Sequence, residues 1–310
     1  MTNTLDAHIA FAQRLAQEAR QMYAPYLRNV VSVEANVGMA VSTAVGMGDG
    51  TSDRTPHPTN GAIGLPGDVH AHAARPSLPH TEIKPDRSLV TALDHAIETH
   101  LRARIEATYP QHGIYGEEEG TVRLDAEHVW VLDPIDGTAP FLAGVPVFGT
   151  LIALLQHGTP VLGVMDFPAT GDRWVGATGR PTLHHGTPCS TRSCGELAEA
   201  MLSTSNPDFY SPDELPAFQA LRERTRWRIY GGCCLAYGLL ASGRTDIAID
   251  ARLALYDYAP FIPVIQGAGG VITDWDGRAL GLHNPASRIL AAGDPARHRE
   301  ALHLVRHAMA

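Results

Sequence analysis

The sequence predicts an α+β protein, and three observations support this fold class. Apolar residues recur at helical spacing in two stretches of the N-terminal half. From residue 147 to 177, three short apolar runs are separated by glycine-containing turns, a pattern typical of antiparallel strands. After residue 228, strand-like and helix-like runs alternate. The 310 residues allow one large domain or two moderate ones, and we favour a single unit with an α+β half (1–180) and an α/β half (181–310).

Two helices are predicted before the strand-rich region. The first covers residues 5–24, and its apolar side consists of Ile9, Ala12, Leu15, Ala16 and Ala19. The second has Ser88 as its N-cap and ends before Pro110. Its buried stripe consists of Val90, Leu93, Ile97, Leu101 and Ile105. Asp94 and Glu98 lie on one face of this helix beside the stripe, and either can be plain surface charge.

A short strand followed by two acids, residues 128–138, is the most informative stretch of the chain. Its apolar run ends at Asp133 and Asp136, three positions apart. Pro134 and Gly137 favour a tight turn in which the two carboxylates converge. Converging carboxylates repel unless a cation lies between them, and oxygen ligands suit Mg²⁺ or Mn²⁺. Such a turn is more often structural when it stands alone, so the metal-site interpretation depends on other acids nearby.

Two further acidic positions qualify. Three consecutive glutamates, residues 117–119, lie between two glycines. Charges this close usually form a solvated loop, but the Asp133 strand follows directly, so one of them is a plausible metal ligand. Asp257 precedes an apolar helical run at 261–265 and is either the N-cap of that helix or a metal ligand.

The other predicted elements follow from local patterns. Strands are predicted at 147–155, 161–167, 173–177, 201–203, 228–230, 246–250, 270–273 and 289–291. Helices are predicted at 231–242, 260–267 and 295–309.

The segment from about residue 36 to 81 has a different composition. It is rich in Gly, Pro, Ser, Thr and His and shows no lasting periodicity, which favours a mobile lid, an insertion or partial disorder. Its histidines are His57, His70, His72 and His80. They lack compact ligand spacing, so we expect them to be solvated rather than bound to metal.

Composition and charge argue against several classes of protein. A net charge of −9 argues against nucleic acid as the main partner, although not against a small phosphorylated ligand. No run approaches the roughly 18 apolar residues of a membrane span, and the N-terminus lacks a signal-peptide pattern. The four cysteines are too few and too unevenly spaced for a disulfide framework or a structural zinc site. We therefore expect a cytoplasmic protein with no membrane partner.

Three dispersed motifs resemble the inositol monophosphatase superfamily in order and type. They are Gly116-Glu117-Glu118, the stretch from Trp130 to Thr138, and Tyr256-Asp257-Tyr258 followed by residues 266–271. Other stretches, at 149–154, 160–164, 173–179, 236–243 and 273–277, look most like the histidinol-phosphate phosphatase branch. The resemblance covers most of the chain outside the 36–81 segment. It implies a layered α/β/α/β/α sandwich like that of fructose-1,6-bisphosphatase, and Mg²⁺-dependent hydrolysis of a small phosphomonoester by a homodimer.

The resemblance also implies a ligand set for the metals. Glu117, Asp133 and the carbonyl of Ile135 match the ligands of a first ion. Asp133 bridges to a second ion, which Asp136 and Asp257 complete. We expect two or three Mg²⁺ ions, with Mn²⁺ as an alternative.

The catalytic group implied by the resemblance consists of Asp94, Thr138 and Glu117. Asp94 matches a helix-borne acid that, with Thr138, positions and activates the attacking water. Metals would neutralise the phosphate, lower the pKa of a bound water and stabilise the leaving alkoxide. The N–H groups of Gly137 and Thr138, if they begin a helix, can hold the phosphate of the substrate.

Substrate recognition leaves alternatives open. The resemblance assigns further substrate contacts to Gly232, Cys233 and Asp250. Asp250 stands where Glu is more usual, Cys233 replaces an Asp common in the histidinol-phosphate branch, and Ala and Pro at 139–140 replace polar residues. Histidinol phosphate is the first candidate, and an inositol or other cyclitol, sugar or nucleotide-derived phosphate is the alternative. A catalytically silent binding protein is a third hypothesis, although all the metal ligands are present.

Overall fold

The computed structural model describes residues 4–27, 78–84 and 89–309. Most of the predicted irregular segment, residues 36–77 with His57, His70 and His72, lies outside the described residues. The end of that segment is described, and Thr81 already belongs to a strand.

The described chain contains helices and strands throughout. The helices are α1 (Thr4–Leu27), α2 (Ala92–Thr108), α3 (Thr138–Ala143), α4 (Leu215–Arg224), α5 (Leu235–Ala241), α6 (Leu255–Tyr258), α7 (Phe261–Gly267) and α8 (Pro295–Ala308). The first strands are β1 (Thr81–Ile83), β2 (Leu89–Thr91), β3 (Gly113–Gly116), β4 (Thr121–Val122), β5 (His128–Asp136), β6 (Gly149–Gln156), β7 (Thr159–Asp166) and β8 (Arg173–Ala177). The remaining strands are β9 (Leu183–His184), β10 (Thr187–Pro188), β11 (Met201–Thr204), β12 (Trp227–Tyr230), β13 (Ile247–Asp250), β14 (Val271–Asp274) and β15 (Ile289–Ala292).

The strands form one large sheet, one smaller sheet and a separate hairpin of β1 and β2. The large sheet has eight strands in the order β10-β9-β8-β7-β6-β5-β3-β4. Strands β5 to β8 pair antiparallel with their neighbours in sequence, which confirms the predicted meander. The smaller sheet has five strands in the order β12-β11-β13-β15-β14, with β11 parallel to both of its neighbours.

Three apolar clusters show how the elements are layered. One cluster joins α1 and α2 to one face of the large sheet. A second joins the other face of that sheet to α5, α6 and α7 and to the smaller sheet. The third covers the outer face of the smaller sheet with α4 and α8. The order of layers is α/β/α/β/α, which confirms the predicted sandwich.

Strand β5 lies between two layers of helices and is buried on both faces, as expected for a central strand. Its pairing with β6 is regular up to Asp133, which lies opposite Leu151, and resumes at Asp136, opposite Gly149. Between these two pairs, β5 advances by three residues and β6 by only two, so β5 contains a β-bulge. The carbonyl of Pro134, inside the bulge, accepts hydrogen bonds from Tyr23 Oη at 2.7 Å and Thr150 Oγ1 at 2.8 Å.

Two paired glycines let α7 lie directly on the large sheet. Gly163 of β7 is the cross-strand partner of Gly176 of β8. A Cβ atom at Gly163 would lie 2.2 Å from the carbonyl oxygen of Pro260, and one at Gly176 would lie 2.4 Å from Cα of Val264. Any side chain at either position would push the helix away from the sheet. Because α7 follows α6 directly, the same contact helps to set the position of α6.

Several local predictions were wrong. The N-cap of α2 is Thr91 rather than Ser88, which lies outside the described residues, and Val90 belongs to β2. The predicted turn after Asp133 is a bulged continuation of β5, because the chain stays paired with β6 through Asp136. Helix α5 begins at Leu235 instead of residue 231, since Gly231 and Cys233 have positive φ angles of 80° and 44°.

Candidate active site

The bulge in β5 and the short helix α6 bring three carboxylates together. Along a regular strand, positions three apart point to opposite faces, so Asp133 and Asp136 share a side only because of the extra residue between them. Asp257 reaches the same point from α6. One carboxylate oxygen from each of the three aspartates lies within 4.8 Å of the others.

Asp257 also stabilises its own helix. Its Oδ2 atom accepts a 2.5 Å hydrogen bond from the backbone N–H of Ala254, the residue that caps α6. The prediction that Asp257 could be the N-cap of the helix at 261 was therefore wrong. Asp257 lies inside the preceding helix, α6, where one of its carboxylate oxygens accepts a hydrogen bond from the capping residue.

The described residues provide few positive charges or hydrogen-bond donors to compensate the negative charge of the acidic cluster. Asp133 is 1% exposed, and its Oδ1 atom has no hydrogen-bond partner within the described part of the chain. Burial raises the pKa of Asp133 well above its usual value, and the neighbouring Glu117, Asp136 and Asp257 raise it further. A buried carboxylate oxygen without a donor, beside other carboxylates, is the arrangement expected where a cation is to be held.

Glu117 borders this cluster, and a lysine that the sequence analysis missed lies beside it. The ammonium of Lys84 is 3.0 Å from Glu117 Oε1 and 2.8 Å from Glu118 Oε1. Burial raises the pKa of Glu117 to about 7, although the Lys84 charge opposes this shift. The glutamate loop is only partly solvated, because the Glu118 side chain is 3% exposed and that of Glu119 is 36% exposed.

Helix α2 supplies Asp94 and fixes its orientation. Asp94 Oδ2 accepts hydrogen bonds from the hydroxyl of Thr91 at 2.5 Å and from its backbone N–H at 2.8 Å. The other oxygen, Oδ1, accepts a 3.4 Å hydrogen bond from Thr138 Oγ1. This capping box therefore commits one oxygen of Asp94 to the helix and leaves the other facing Thr138.

Glu98, one turn further along α2, supports the glutamate loop. It is fully buried, so neither Asp94 nor Glu98 is surface charge. Its carboxylate accepts hydrogen bonds from the backbone N–H groups of Glu118 at 2.7 Å and Glu119 at 3.0 Å. Arg102 donates to the same carboxylate at 2.8 Å, which compensates its buried charge.

Gly137 turns the chain from β5 into α3. It has a φ angle of 82°, and Thr138 is the first residue of the helix. The hydroxyl of Thr138 lies 3.2 Å from the carbonyl oxygen of Ile135 as well as near Asp94. The N–H groups of residues 137 and 138 therefore lie at the start of a helix, as the phosphate-binding prediction requires.

The loop at residues 232–234, which contains two of the predicted substrate residues, lies against the end of β5. Cys233 Sγ lies 3.6 Å from where a Cβ atom of Gly137 would be, and the N–H of Cys234 donates to Asp136 Oδ2 at 3.0 Å. Gly232 precedes this pair in the same loop. The loop thus contacts both the end of β5 and one of the clustered aspartates.

Asp250 lies deeper than the other predicted substrate residues. It is 2% exposed, and its oxygens accept hydrogen bonds from Thr204 Oγ1 at 3.0 Å, the Ser205 N–H at 2.7 Å and Tyr237 Oη at 2.7 Å. Burial raises its pKa to about 6, although these hydrogen bonds oppose the shift. Among the residues that the structure describes, no cationic side chain pairs with it.

The donor set suits hard divalent cations. The oxygens available are those of Glu117, Asp133, Asp136 and Asp257 and the carbonyl of Ile135, and no sulfur or nitrogen ligand is part of the cluster. Oxygen-only sets of this kind are typical of Mg²⁺ and Mn²⁺. The orphaned Asp133 Oδ1 atom agrees with this assignment.

Two other features bear on the sequence-based expectations. All four cysteines are free. In the described ranges, none of the helices combines the length and apolar character needed to cross a membrane. The cytoplasmic location stays a prediction.

Comparison with known proteins agrees with the geometry. The chain is 44% identical over 227 residues to the chloroplastic bifunctional phosphatase IMPL2 of Arabidopsis thaliana, which covers 71% of this chain and 66% of that protein. It is 38% identical over 210 residues to a histidinol-phosphatase of Mycobacterium tuberculosis, covering 64% of this chain and 78% of that protein. The probable inositol 1-monophosphatase ImpA of the same organism is 31% identical over 229 residues, covering 72% and 83%.

A solved structure and a family model extend the comparison to most of the chain. The inositol monophosphatase of Zymomonas mobilis matches with a TM-score of 0.74 and 32% identity, over 98% of this chain and 99% of that one. The model of the inositol monophosphatase family matches residues 69–310. The chain therefore belongs to the inositol monophosphatase family of metal-dependent phosphatases, which hydrolyse phosphomonoesters.

Proposed function

We propose that this phosphatase acts on histidinol phosphate, using two or three Mg²⁺ ions held by its acidic cluster. The observation that carries the proposed chemistry is the buried cluster of Asp133, Asp136 and Asp257, with one oxygen of Asp133 unpartnered, next to the pair formed by Asp94 and Thr138. The cluster would hold the cations, and the adjacent pair would hold the nucleophilic water.

The ligand set would divide between two ions. Glu117, Asp133 and the Ile135 carbonyl would hold one, and Asp133, Asp136 and Asp257 the other. When bound, these ions would neutralise phosphate charge, lower the pKa of a water and stabilise the leaving alkoxide. Without such cations, the cluster would repel a phosphate dianion.

The chain's own residues would position the water and accept its proton. Asp94 Oδ1 accepts from the Thr138 hydroxyl, so the lone pairs of that hydroxyl can accept a hydrogen bond from water. Burial raises the pKa of Asp94, which favours proton transfer from water through Thr138 to the carboxylate. Glu117 would belong to the same catalytic group through the ion that it holds beside the water. The bond from phosphorus to the alcohol oxygen breaks as the bond to the water oxygen forms, and the leaving alkoxide takes up a proton from a water molecule.

Backbone groups at the start of α3 would hold the phosphate. The N–H groups of Gly137 and Thr138 lie at the N-terminal end of the helix, where an anion is favoured. The loop at Gly232 and Cys233 would enclose the alcohol part of the substrate from the other side.

Asp250 supports an amine-bearing substrate. Its buried carboxylate is held by neutral donors alone, so a cation in the pocket would be attracted to it. The name of the first Mycobacterium relative, a histidinol-phosphatase, agrees with an aminoalcohol phosphate. Cys233 and the ImpA similarity favour the alternative, a cyclitol phosphate, because Cys233 lacks the carboxylate common in the histidinol-phosphate branch.

A substrate panel tests the proposal. Phosphate release from L-histidinol phosphate, myo-inositol 1-phosphate, a sugar phosphate and a nucleoside 2′-phosphate would be measured with Mg²⁺ and with chelator. We expect the highest kcat/KM for histidinol phosphate and no turnover under chelator. Asp133→Asn should lower kcat/KM at least about 100-fold, whereas the exposed control Asp125→Asn should not. A higher kcat/KM for inositol phosphate would overturn the substrate, and activity under chelator would overturn the mechanism.

We also propose that the chain acts as a single structural unit and as a homodimer. The central apolar cluster takes residues from both sheets, which supports the single unit. Light scattering after size-exclusion chromatography would give the mass, for which a monomer value would contradict the dimer.

A further inference from the structure

A second cluster of metal-binding side chains lies at the far edge of the large sheet. It consists of Asp172, in the turn before β8, of His184, the last residue of β9, and of His185, the residue after it. The Nε2 atom of His184 is 2.8 Å from Asp172 Oδ1, and the Nε2 atom of His185 is 2.9 Å from the same oxygen. The three potential ligand atoms all lie within 4.8 Å of one another.

We propose that Asp172, His184 and His185 form a binding site for a borderline transition-metal ion such as Zn²⁺, Co²⁺ or Ni²⁺, separate from the catalytic Mg²⁺ site. Imidazole nitrogen with a single carboxylate is a donor set that these ions prefer, whereas Mg²⁺ prefers oxygen alone. Four-coordinate zinc places its ligand atoms about 3.4 Å apart, so each ring would need to move only about half an ångström from its hydrogen-bonded position. Three protein ligands leave a fourth position for water.

The scaffold fixes all three ligands. His184 is the cross-strand partner of Trp174, and its ring stacks on the Trp174 indole with centroids 4.3 Å apart. His185 has a φ angle of 50° in the hairpin between β9 and β10, so its ring lies on the same side as that of His184, with centroids 4.2 Å apart. On a straight strand, consecutive side chains would point to opposite faces.

Asp172 is held from a different element. Arg20 of α1 donates to the carbonyl oxygens of Gly171 at 3.0 Å and Asp172 at 2.9 Å, and its guanidinium also pairs with Asp166 at 2.6 Å. The turn that carries Asp172 is therefore fixed against the sheet. A site whose ligands are already oriented loses little conformational entropy when it binds an ion.

A simple ion pair explains this geometry less well than a metal site. Each Nε2 atom faces the same carboxylate oxygen at hydrogen-bond distance, so a bound ion would take the place of the Nε2 proton of each ring. An ion pair would need only one histidine. The hairpin instead turns His185 back so that both rings meet one carboxylate oxygen, and His185 keeps 53% of its side chain exposed, which leaves access for an ion.

The cluster is too distant to share ions with the catalytic aspartates. Strand β9 is four positions from β5 in the sheet, and strands lie about 4.8 Å apart, so the two sites are about 19 Å apart. Occupancy of one site can therefore be measured while the other is held saturated. This separation makes the proposal independent of the substrate assignment.

Fluorescence provides a local measurement, because Trp174 stacks on a proposed ligand. Metal-free full-length protein, saturated with Mg²⁺, would be titrated with Co²⁺, which quenches nearby indole fluorescence, and then with Zn²⁺ as competitor. We expect saturable quenching that Zn²⁺ reverses and that Trp174→Phe removes. Calorimetry with Zn²⁺ in excess Mg²⁺ would give the stoichiometry and affinity.

Variants decide between the possible sites. Asp172→Asn and His185→Ala should each weaken Zn²⁺ binding at least about tenfold. His303→Ala, which removes an exposed histidine from α8, is the matched control and should bind Zn²⁺ like the wild type. Circular dichroism would establish that each variant is folded. Unchanged Zn²⁺ affinity in both ligand variants, or loss of binding in the His303 control alone, would overturn the proposal.

Discussion

Glu98 accepts a 2.7 Å hydrogen bond from the backbone N–H of Glu118, and this bond connects the helix that carries Asp94 to the loop that carries Glu117. Glu98 lies one turn after Asp94 on α2, so a single helix places both the acid near Thr138 and the loop next to Asp133. The residue touches neither the proposed metals nor the substrate. Its effect on catalysis is therefore expected through the position of Glu117.

Glu98→Gln should weaken Mg²⁺ binding more than it slows turnover. The amide has only one acceptor oxygen, so one of the two loop N–H groups would lose its partner, at a cost of about 1–3 kcal/mol. The Mg²⁺ concentration for half-maximal activity should rise, while kcat at saturating Mg²⁺ stays near the wild-type value. Glu106→Gln, an exposed change on the same helix, is the control. An unchanged Mg²⁺ requirement would show that Glu98 does not position the loop.

Thr91→Ala should lower both stability and turnover. The Thr91 hydroxyl caps α2 and bonds to Asp94 Oδ2, so its loss should cost about 1 kcal/mol of unfolding free energy and let the Asp94 carboxylate rotate. Urea denaturation and steady-state kinetics would measure the two effects. Thr91→Ser keeps the hydroxyl and should restore both. If the Ser variant were as impaired as the Ala variant, the threonine methyl group rather than the hydrogen bond would be responsible.

Asp133→Asn should stabilise the metal-free protein while it abolishes activity. The carboxylate is buried among Glu117, Asp136 and Asp257, so removing one charge relieves repulsion. Thermal unfolding in chelator should give a higher Tm for the variant than for the wild type. Added Mg²⁺ should raise the Tm of the wild type, because it binds the folded state, and should raise that of the variant much less. A lower Tm for the metal-free variant would contradict this account of the cluster.

Gly176→Ala should disturb α7 and, through it, Asp257. The new Cβ atom would lie 2.4 Å from backbone atoms of Val264, which cannot rotate away, and overpacking of this kind costs about 1–3 kcal/mol. Urea denaturation should show the loss of stability, and Mg²⁺ titration a weaker apparent affinity. Gly195→Ala, where the nearest atom is 3.6 Å from the added Cβ, should have little effect.

Protonation of His112 at acid pH should weaken the packing of α1 against the large sheet. Trp130 Nε1 donates to His112 Nδ1 at 3.1 Å, and the His112 ring lies 4.9 Å from that of His128 and 5.5 Å from that of His8 on α1. Burial, then the nearby His128 and His8, lowers the pKa of His112 to about 4. The unfolded chain, in which a histidine titrates near 6.5, therefore binds more protons between pH 6.5 and 4.

The contribution of His112 to the free energy of unfolding is thus fully present above pH 6.5 and is lost as the pH falls towards 4. The expected slope is up to about 1.4 kcal/mol per pH unit. Urea denaturation from pH 7.5 to 4.5 should show a shallower slope for His112→Asn than for the wild type, since carboxylates contribute equally to both. His157→Gln, an exposed change, should follow the wild type. Parallel curves for wild type and His112→Asn would rule out this contribution.

The sequence was sufficient to predict those parts of the fold and site that have a local pattern. Alternating or helical apolar spacing predicted α1, the meander and α8, and the spacing of Asp133, Asp136 and Thr138 pointed to the cluster. Short elements such as β3, β4 and α6 were missed, because two to four residues carry too little periodicity to distinguish them from loops.

The other missed features depend on contacts between distant segments. Lys84 reaches Glu117 across 33 positions in the chain, and Glu98 reaches Glu118 across 20. Lys84 carried no signal in the sequence, and Glu98 could be interpreted as plain surface charge. His184 and His185 drew no attention because Asp172 lies in another turn, and only the pairing of β8 with β9 brings them together.

The bulge in β5 has a consequence for insertions elsewhere in the chain. Asp136 faces Asp133 because β6 has one residue fewer than β5 between the two points of pairing, Leu151 and Gly149. One residue inserted into β6 beside Thr150 would equalise the two strands and allow regular pairing. Asp136 would then turn to the opposite face of the sheet. The proposed metal site thus depends on a difference in length between two strands, one of which contributes none of the proposed ligands.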